Sequence, residues 1–371
     1  MDPIAHTFTG MALAAAGLRR ATPLATAALL VGVNAPDLDV FSGAFGSYAP
    51  IAFRRGWTHG LLAIAIWPFV LAAALLVYDR YVRRRRDPAA SAARAGPLLA
   101  VAAIGVATHP ALDWLNNYGL RWLMPFDGRW FYGDAVFIID PWVWLLLGGA
   151  ALLTYSRSRL ARVRWAAFFA LASVLIFVYT ALGLVPATSA VVWVVGVAAV
   201  LAVRWWLRAA PPATLERAAQ AGIGLAAVYV VTLAGASAFA RNEVRATVAA
   251  RGVEAEDVSL APQPADPFRG EVVIMTRDDY YTGSFDWLAT PHLALDATRV
   301  ARPRGPLFEA ASQARDARLY LTWTRFPAIE TEQSESGGTL VRFFDMRYRS
   351  MDRILGPTVR LDAAGALGSD D

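Results

Sequence analysis

The residues able to do chemistry fall in a few short stretches of this chain. His109-Pro-Ala-Leu-Asp113 places an imidazole and a carboxylate one helical turn apart, so both can close on the same ion. Pro36-Asp37-Leu38-Asp39 offers two more carboxylates, and His59 stands close behind the paired Arg54 and Arg55. Burying such groups near a membrane costs several kcal/mol each unless they are paired or ligate a metal. Imidazole nitrogen and carboxylate oxygen without sulfur suit zinc, manganese or iron better than calcium. One or two such ions would activate water for attack on a phosphoryl or acyl centre. A forked pair of arginines would hold an anionic group beside them. Asp127 reads as the turn residue of Pro-Phe-Asp-Gly, and His292 as structure at a strand end.

Composition decides what surrounds these residues. The chain has 371 residues, 56% of them hydrophobic, which is too apolar for an ordinary soluble enzyme. It contains no cysteine, which excludes disulfides, thiolate metal sites and cysteine nucleophiles. Every basic residue is an arginine. Residues 1–244 carry 20 arginines against 11 acids, and residues 245–371 carry 15 against 19. A basic half that is also the apolar half suits a membrane domain and argues against nucleic acid as a partner.

About eight apolar segments follow one another: 3–18, 22–33, 57–79, 96–115, 141–155, 165–184, 188–203 and 218–240. The first two are shorter than the roughly 20 residues needed to cross a bilayer. Beyond residue 244 the pattern changes to period two, as in 271–287, 318–326 and 339–350, with turn signals at Thr282-Gly283 and Gly337-Gly338. The expected fold is therefore an all-α polytopic membrane domain, residues 1–244, followed by a small, mostly antiparallel β soluble domain, residues 245–371. Residues 363–371 read as a frayed tail.

Arginine-rich loops at 19–20, 80–94, 157–164 and 204–217 are expected on the cytoplasmic side. Alternating the segments then puts His6, Asp37, Asp39, His59, His109, Asp113, Asp127, Asp134 and Asp140 at one level on the opposite side. The loops are chosen without reference to the histidines, so this convergence is a partly independent sign of a site. Arg54 and Arg55 lie outside against the charge rule, which marks them as held there by something other than topology.

The succession of His6, Pro36-Asp37-Leu38-Asp39, Arg55-Gly56-Trp57-Thr58-His59 and His109-x-x-x-Asp113 through Tyr118-Gly119 resembles the YdjM/YbcI-like inner-membrane metal-dependent hydrolases. Gly133-Asp134 and Ile139-Asp140-Pro141 look like further family positions. So do Pro264, Pro267-Phe268 and Asp345-Met346-Arg347-Tyr348 in the second domain. Position 60 is Gly where many relatives carry Ser. The resemblance implies a distant similarity to zinc-dependent phospholipase C and the P1-type nucleases, and with it phosphoester hydrolysis on an anionic or lipid head-group substrate.

The resulting expectation is a multi-pass protein of the bacterial inner membrane whose partner is the lipid bilayer. The site and the C-terminal domain would face the periplasm. His6, Asp37, His59, His109 and Asp113 would bind zinc, or manganese or iron. Asp39 would bridge ions or act as base, Arg54 and Arg55 would orient the substrate, and Asp134 and Asp140 would hold the ligand histidines from behind. The competing expectation is a non-catalytic membrane scaffold whose polar cluster is a hydrogen-bonded network and whose β domain binds a partner protein.

Overall fold

The computed structural model describes residues 1–334, 337–349 and 356–367. All eight apolar segments form helices: α1 (Pro3–Ala15), α2 (Ala25–Gly32), α4 (Leu61–Tyr78), α6 (Ala95–Trp114), α7 (Pro141–Tyr155), α8 (Arg159–Ala181), α9 (Ala187–Trp206) and α10 (Pro212–Ala249). Short helices α3 (Ala49–Phe53) and α5 (Arg84–Arg86) lie between them, α5 joined to α4 by a π turn at Asp79–Arg83. Five helices among the described residues are long and apolar enough to cross a membrane: Leu61–Arg86, α6, α8, α9 and α10. At 13, 8 and 15 residues, α1, α2 and α7 fall short of that length. Eight apolar segments therefore give five helices of spanning length, because three of the segments are stopped early by their flanking turns.

Two acids serve as helix caps. Asp2 accepts hydrogen bonds from the Ile4 and Ala5 amides (2.9 and 3.1 Å), with Pro3 at the first helical position of α1. Asp140 does the same for Trp142 and Val143 at the start of α7, followed by Pro141.

The chain divides into two compact units. The first comprises Met1–Leu38, Arg55–Ser237 and Pro262–Pro267. Within it α1 packs on α7 and α2, and α6 packs between α2 and α4. Aromatic side chains fill one core, including Phe8, Trp144, Trp165, Phe169 and Trp193. Leu29, Leu71, Leu98 and Val106 fill another. Small residues set the approach of α2 to α6: a Cβ on Gly32 would stand 3.2 Å from the Val106 amide, and one on Gly105 3.2 Å from the Leu29 carbonyl. That crossing fixes what lies one turn further along α6, which is His109.

The second unit comprises Asp39–Arg54, Ala238–Ala261 and the chain from Phe268 onward. Strands β1 (Asp257–Gln263), β2 (Asp266–Met275), β3 (Asp279–Asp286) and β4 (Leu293–Ala301) form one sheet in that order. Strands β5 (Pro327–Gln333), β6 (Thr339–Asp345) and β7 (Thr358–Leu361) form another. The β2–β3, β3–β4, β5–β6 and β6–β7 pairs are antiparallel, with Val272 opposite Gly283 and Val341 opposite Val359. Strand β2 buries both faces: Val272 and Ile274 meet Val244 and Val248 of α10, whereas Val273 meets Tyr280 and Phe326.

Two expectations for this unit are corrected. Residues 318–326 are not a strand, because Arg315–Leu321 forms helix α12, preceded by α11 (Pro306–Ala311). The buried positions are Ala311, Ala314, Ala317, Tyr320, Trp323 and Phe326, a repeat of three that fits helical turns, and it outweighs the local alternation. Thr282-Gly283 is not a turn. It sits inside β3 at a register shift between Tyr281 and Gly283, where a Cβ on Gly283 would stand 2.3 Å from the Ala294 carbonyl. The β5–β6 connection does contain Gly337-Gly338, with Gly337 at φ 87°. Of the expected tail, Leu367 bridges back to Leu361, and residues 368–371 lie outside the described residues.

Candidate metal centre

Three elements of the first unit bring the ligating atoms together. Asp37 lies in the 3-10 segment Ala35–Phe45 that follows α2, its amide bonded to the Asn34 carbonyl. His59 sits in a tight turn closed by the His59 and Gly60 amides on the Gly56 carbonyl, immediately before α4. His109 and Asp113 occupy the last turns of α6, on the shared face their spacing requires. A Cβ on Gly60 would stand 2.7 Å from the Met124 carbonyl, so any side chain at this position would displace the loop.

Asp37, His59, His109 and Asp113 form a group whose ligating atoms lie within 4.8 Å of one another. His59 Nε2 and His109 Nε2 are 3.0 Å apart, and Asp113 Oδ2 is 3.3 and 3.4 Å from them. Asp37 Oδ1 stands further off, at 4.0 and 3.8 Å from the same nitrogens. Ligand bonds of 2.0–2.1 Å in a tetrahedron put neighbouring ligand atoms about 3.3 Å apart. The three shorter separations match such edges. The group could therefore hold a metal ion. His59, His109 and Asp113 are fully buried, and the Asp37 side chain is 20% exposed, so the group opens on its Asp37 side.

The hydrogen bonds on the far sides of these ligands leave the inner atoms available. His109 Nδ1 is 2.7 Å from the Val33 carbonyl, which can only accept, so the ring carries its proton there and turns the Nε2 lone pair inward. His59 Nδ1 is 2.8 Å from the Thr58 hydroxyl. Asp113 divides its two oxygens. Oδ1 contacts the Met1 amino group, His6 Nε2 at 3.2 Å and Arg55 Nη2 at 3.1 Å, while Oδ2 accepts no hydrogen bond and faces the two imidazoles. A buried carboxylate oxygen without a donor is what a metal ligand looks like in its absence of protein partners.

His6 does not join the group of four. Its ring stacks on His109 (centroids 3.8 Å apart, 18° between planes) and its Nδ1 is buried without a hydrogen bond.

The paired arginines separate. Arg55, at φ 55°, turns inward: besides Asp113 Oδ1 it donates to the Asn116 side chain (2.8 Å) and to the Asp113 and Gly119 carbonyls (both 3.3 Å). Its guanidinium lies 4.5 Å from the centre of the Tyr118 ring. Arg54 belongs to the second unit and lies 3.5 Å from Asp39 of that unit.

Asp134 is buried at φ 50°, with its carbonyl accepting from the Ser237 hydroxyl at 2.5 Å. Asp140 accepts from the Tyr229 hydroxyl at 3.0 Å as well as capping α7, and burial pushes its carboxyl up to about 6. The Nδ1 atoms of His59 and His109 meet the Thr58 hydroxyl and the Val33 carbonyl. Sequence reasoning missed Thr58, Asn116 and Tyr118 as positioning residues. Thr58 and Tyr118 stand within the quoted motif and Asn116 between its members, which was the available signal. Gly119 follows Tyr118 at φ 87°, a conformation that glycine adopts without strain.

The YdjM inner membrane protein family model matches residues 1–190, a stretch that holds the four clustered residues together with His6, Arg55 and Tyr118. The chain belongs to the YdjM inner membrane protein family. With its apolar helices, membership makes it a multi-pass membrane protein. The chain is also similar to the uncharacterized protein YfhP of Bacillus subtilis (strain 168), at 25% identity over 129 residues. That alignment takes in 35% of this chain and 36% of the relative's length. No solved structure matches it.

Proposed function

We propose that this protein is a membrane-embedded, metal-dependent hydrolase that acts on a phosphoester substrate, including lipid head groups, at the periplasmic face. The observation that carries the reading is the buried triangle of His59 Nε2, His109 Nε2 and Asp113 Oδ2, with edges of 3.0–3.4 Å. The donor set of two nitrogens and two carboxylates fits zinc, with manganese or iron as the nearest substitutes. A divalent ion supplies Lewis acidity toward a phosphoryl oxygen and lowers the pKa of a water. The chain's own part is to fix the ligands and to leave one side open. Arg55 and Asn116 hold Asp113, Val33 and Thr58 hold the imidazoles, and partly exposed Asp37 marks the side from which substrate enters. In this reading Arg55 positions a ligand and does not meet the substrate.

The 3.0 Å separation of the two imidazole nitrogens is also a hydrogen-bond distance, which favours the scaffold as the second reading. The two separate cleanly. Elemental analysis of the purified chain should find about one ion per protein, and His59→Ala and Asp113→Ala should each lose it. Wild type without stoichiometric metal would sink the metal centre and leave the scaffold. Metal present but no turnover of phosphomonoesters, phosphodiesters or phospholipids would sink the hydrolase alone.

A further inference from the structure

Helix α4 spends its 18 residues, about 27 Å of rise, on an apolar surface and then changes character within one turn. That length matches the roughly 30 Å of hydrocarbon in a bilayer, so Asp79–Arg86 emerges at head-group level. The π turn at Asp79–Arg83 carries buried Asp79, whose carboxylate takes Arg83 (2.5 Å), the Ala93 amide (3.0 Å) and Arg84 (3.3 Å). Two of the five arginines are thereby tied to one carboxylate within the fold. Arg80, Arg85 and Arg86 are exposed and have no carboxylate partner among the described residues. Arg80 and Arg85 each lie 5.4 Å from the centre of the Tyr81 ring, so their guanidiniums are at most twice that distance apart. Tyr81 is itself 49% exposed and follows Tyr78, which is 45% exposed. Tyrosine belongs at this depth, with its ring among acyl chains and its hydroxyl among head groups.

We propose that Arg80, Arg85 and Arg86, organised around Tyr81, form a binding site for the phosphate of an anionic phospholipid in the leaflet at this end of α4. Guanidiniums recognise phosphate oxygens by forked hydrogen bonds, and the tyrosine hydroxyl adds a donor. Asp79 takes its own two arginines out of competition and keeps its charge away from the lipid. The exposed arginines at 157, 159, 162 and 164 carry similar charge but have no shared aromatic ring among the described residues, so they serve as a control. The proposal is independent of the metal centre.

The test reconstitutes the full chain in nanodiscs of phosphatidylcholine with one quarter phosphatidylglycerol, then measures the phosphatidylglycerol retained after detergent exchange. Wild type is compared with R80Q/R85Q/R86Q and with R157Q/R159Q/R164Q, which removes the same charge elsewhere. Each tract arginine is expected to contribute about fivefold to retention. The tract variant should therefore release the lipid while the control variant keeps it. Asp79, Arg83 and Arg84 stay intact in both, and circular dichroism checks that both remain folded. Equal retention in the two variants would overturn the site, as would inorganic phosphate or glycerophosphate displacing the lipid at millimolar concentration. A wild type that retains no more phosphatidylglycerol than phosphatidylcholine would overturn it too.

Discussion

Asp113 meets two kinds of partner with its two oxygens: cationic and imidazole groups on Oδ1, and the inward nitrogens of His59 and His109 on Oδ2. The guanidinium of Arg55 therefore helps to shape the candidate ligand, since it pairs a fully buried carboxylate and fixes which oxygen points inward. Arg55→Met should cost roughly 3–5 kcal/mol of stability by leaving that carboxylate without its cation. Arg55→Lys should recover only part, because a single ammonium nitrogen cannot stand in for both Nη2 on Asp113 Oδ1 and Nη1 on Asn116. Thermal unfolding in detergent, followed by tryptophan fluorescence, measures both. A Met variant as stable as wild type would remove Arg55 from the centre. At this scale the H-x-x-x-D pair was legible because helical spacing alone puts both groups on one face. Arg55 was not. Its inward turn depends on a positive φ and on Asn116, Tyr118 and Gly119, all more than 60 residues further along the chain.

At the scale of elements, the position of His109 is set by a crossing that contains no ligand. Gly32 of α2 and Gly105 of α6 let the two backbones meet, and the carbonyl of Val33 just beyond α2 then reaches the His109 ring. Gly105→Val should push the helices apart and lose bound metal with all four ligands intact. Gly96→Val, at a site with nothing within 4 Å of a new Cβ, should retain it. Elemental analysis of both variants decides the matter. The apolar segments were legible because composition alone announces them, whereas helix α12 was not, since its period of three is shared across α11 and the turns around it. In the second unit, β6 ends on Asp345, which pairs with Arg347 (2.7 Å) with both side chains fully buried. Burial pushes that carboxyl up, and the Arg347 charge and hydrogen bonds outweigh it and hold it below the usual range. A depressed folded pKa contributes stability that is complete above the unfolded value near 4 and is lost as the pH falls through the folded value. Urea titrations of wild type between pH 2 and 7, followed by the fluorescence of neighbouring Trp323, should show that acid loss. In Asp345→Asn the stability at pH 7 should be lower and this part of the acid slope should vanish.

At the scale of the whole molecule, the change from apolar runs to alternating ones divided the chain into helical and β parts. The sequence did not reveal that residues 39–54 would belong with the second unit, because membership there depends on contacts made far along the chain. Arg315 reaches the Phe45 carbonyl at 2.9 Å, and Tyr48 meets Tyr320 edge-on. Two compact units also mean that a single unfolding midpoint is not a sound measure for this protein, so the variants above need probes local to each unit. The Val33 carbonyl, the Thr58 hydroxyl and the Arg55 guanidinium orient the ligands by bonds that belong to the protein alone. Folding therefore meets most of the cost of arranging the ligands before any ion arrives. In the proposed reading the ion is a replaceable part. A chain stripped by chelator should take it up again within the membrane without refolding, and can be serviced in place for as long as its helices last.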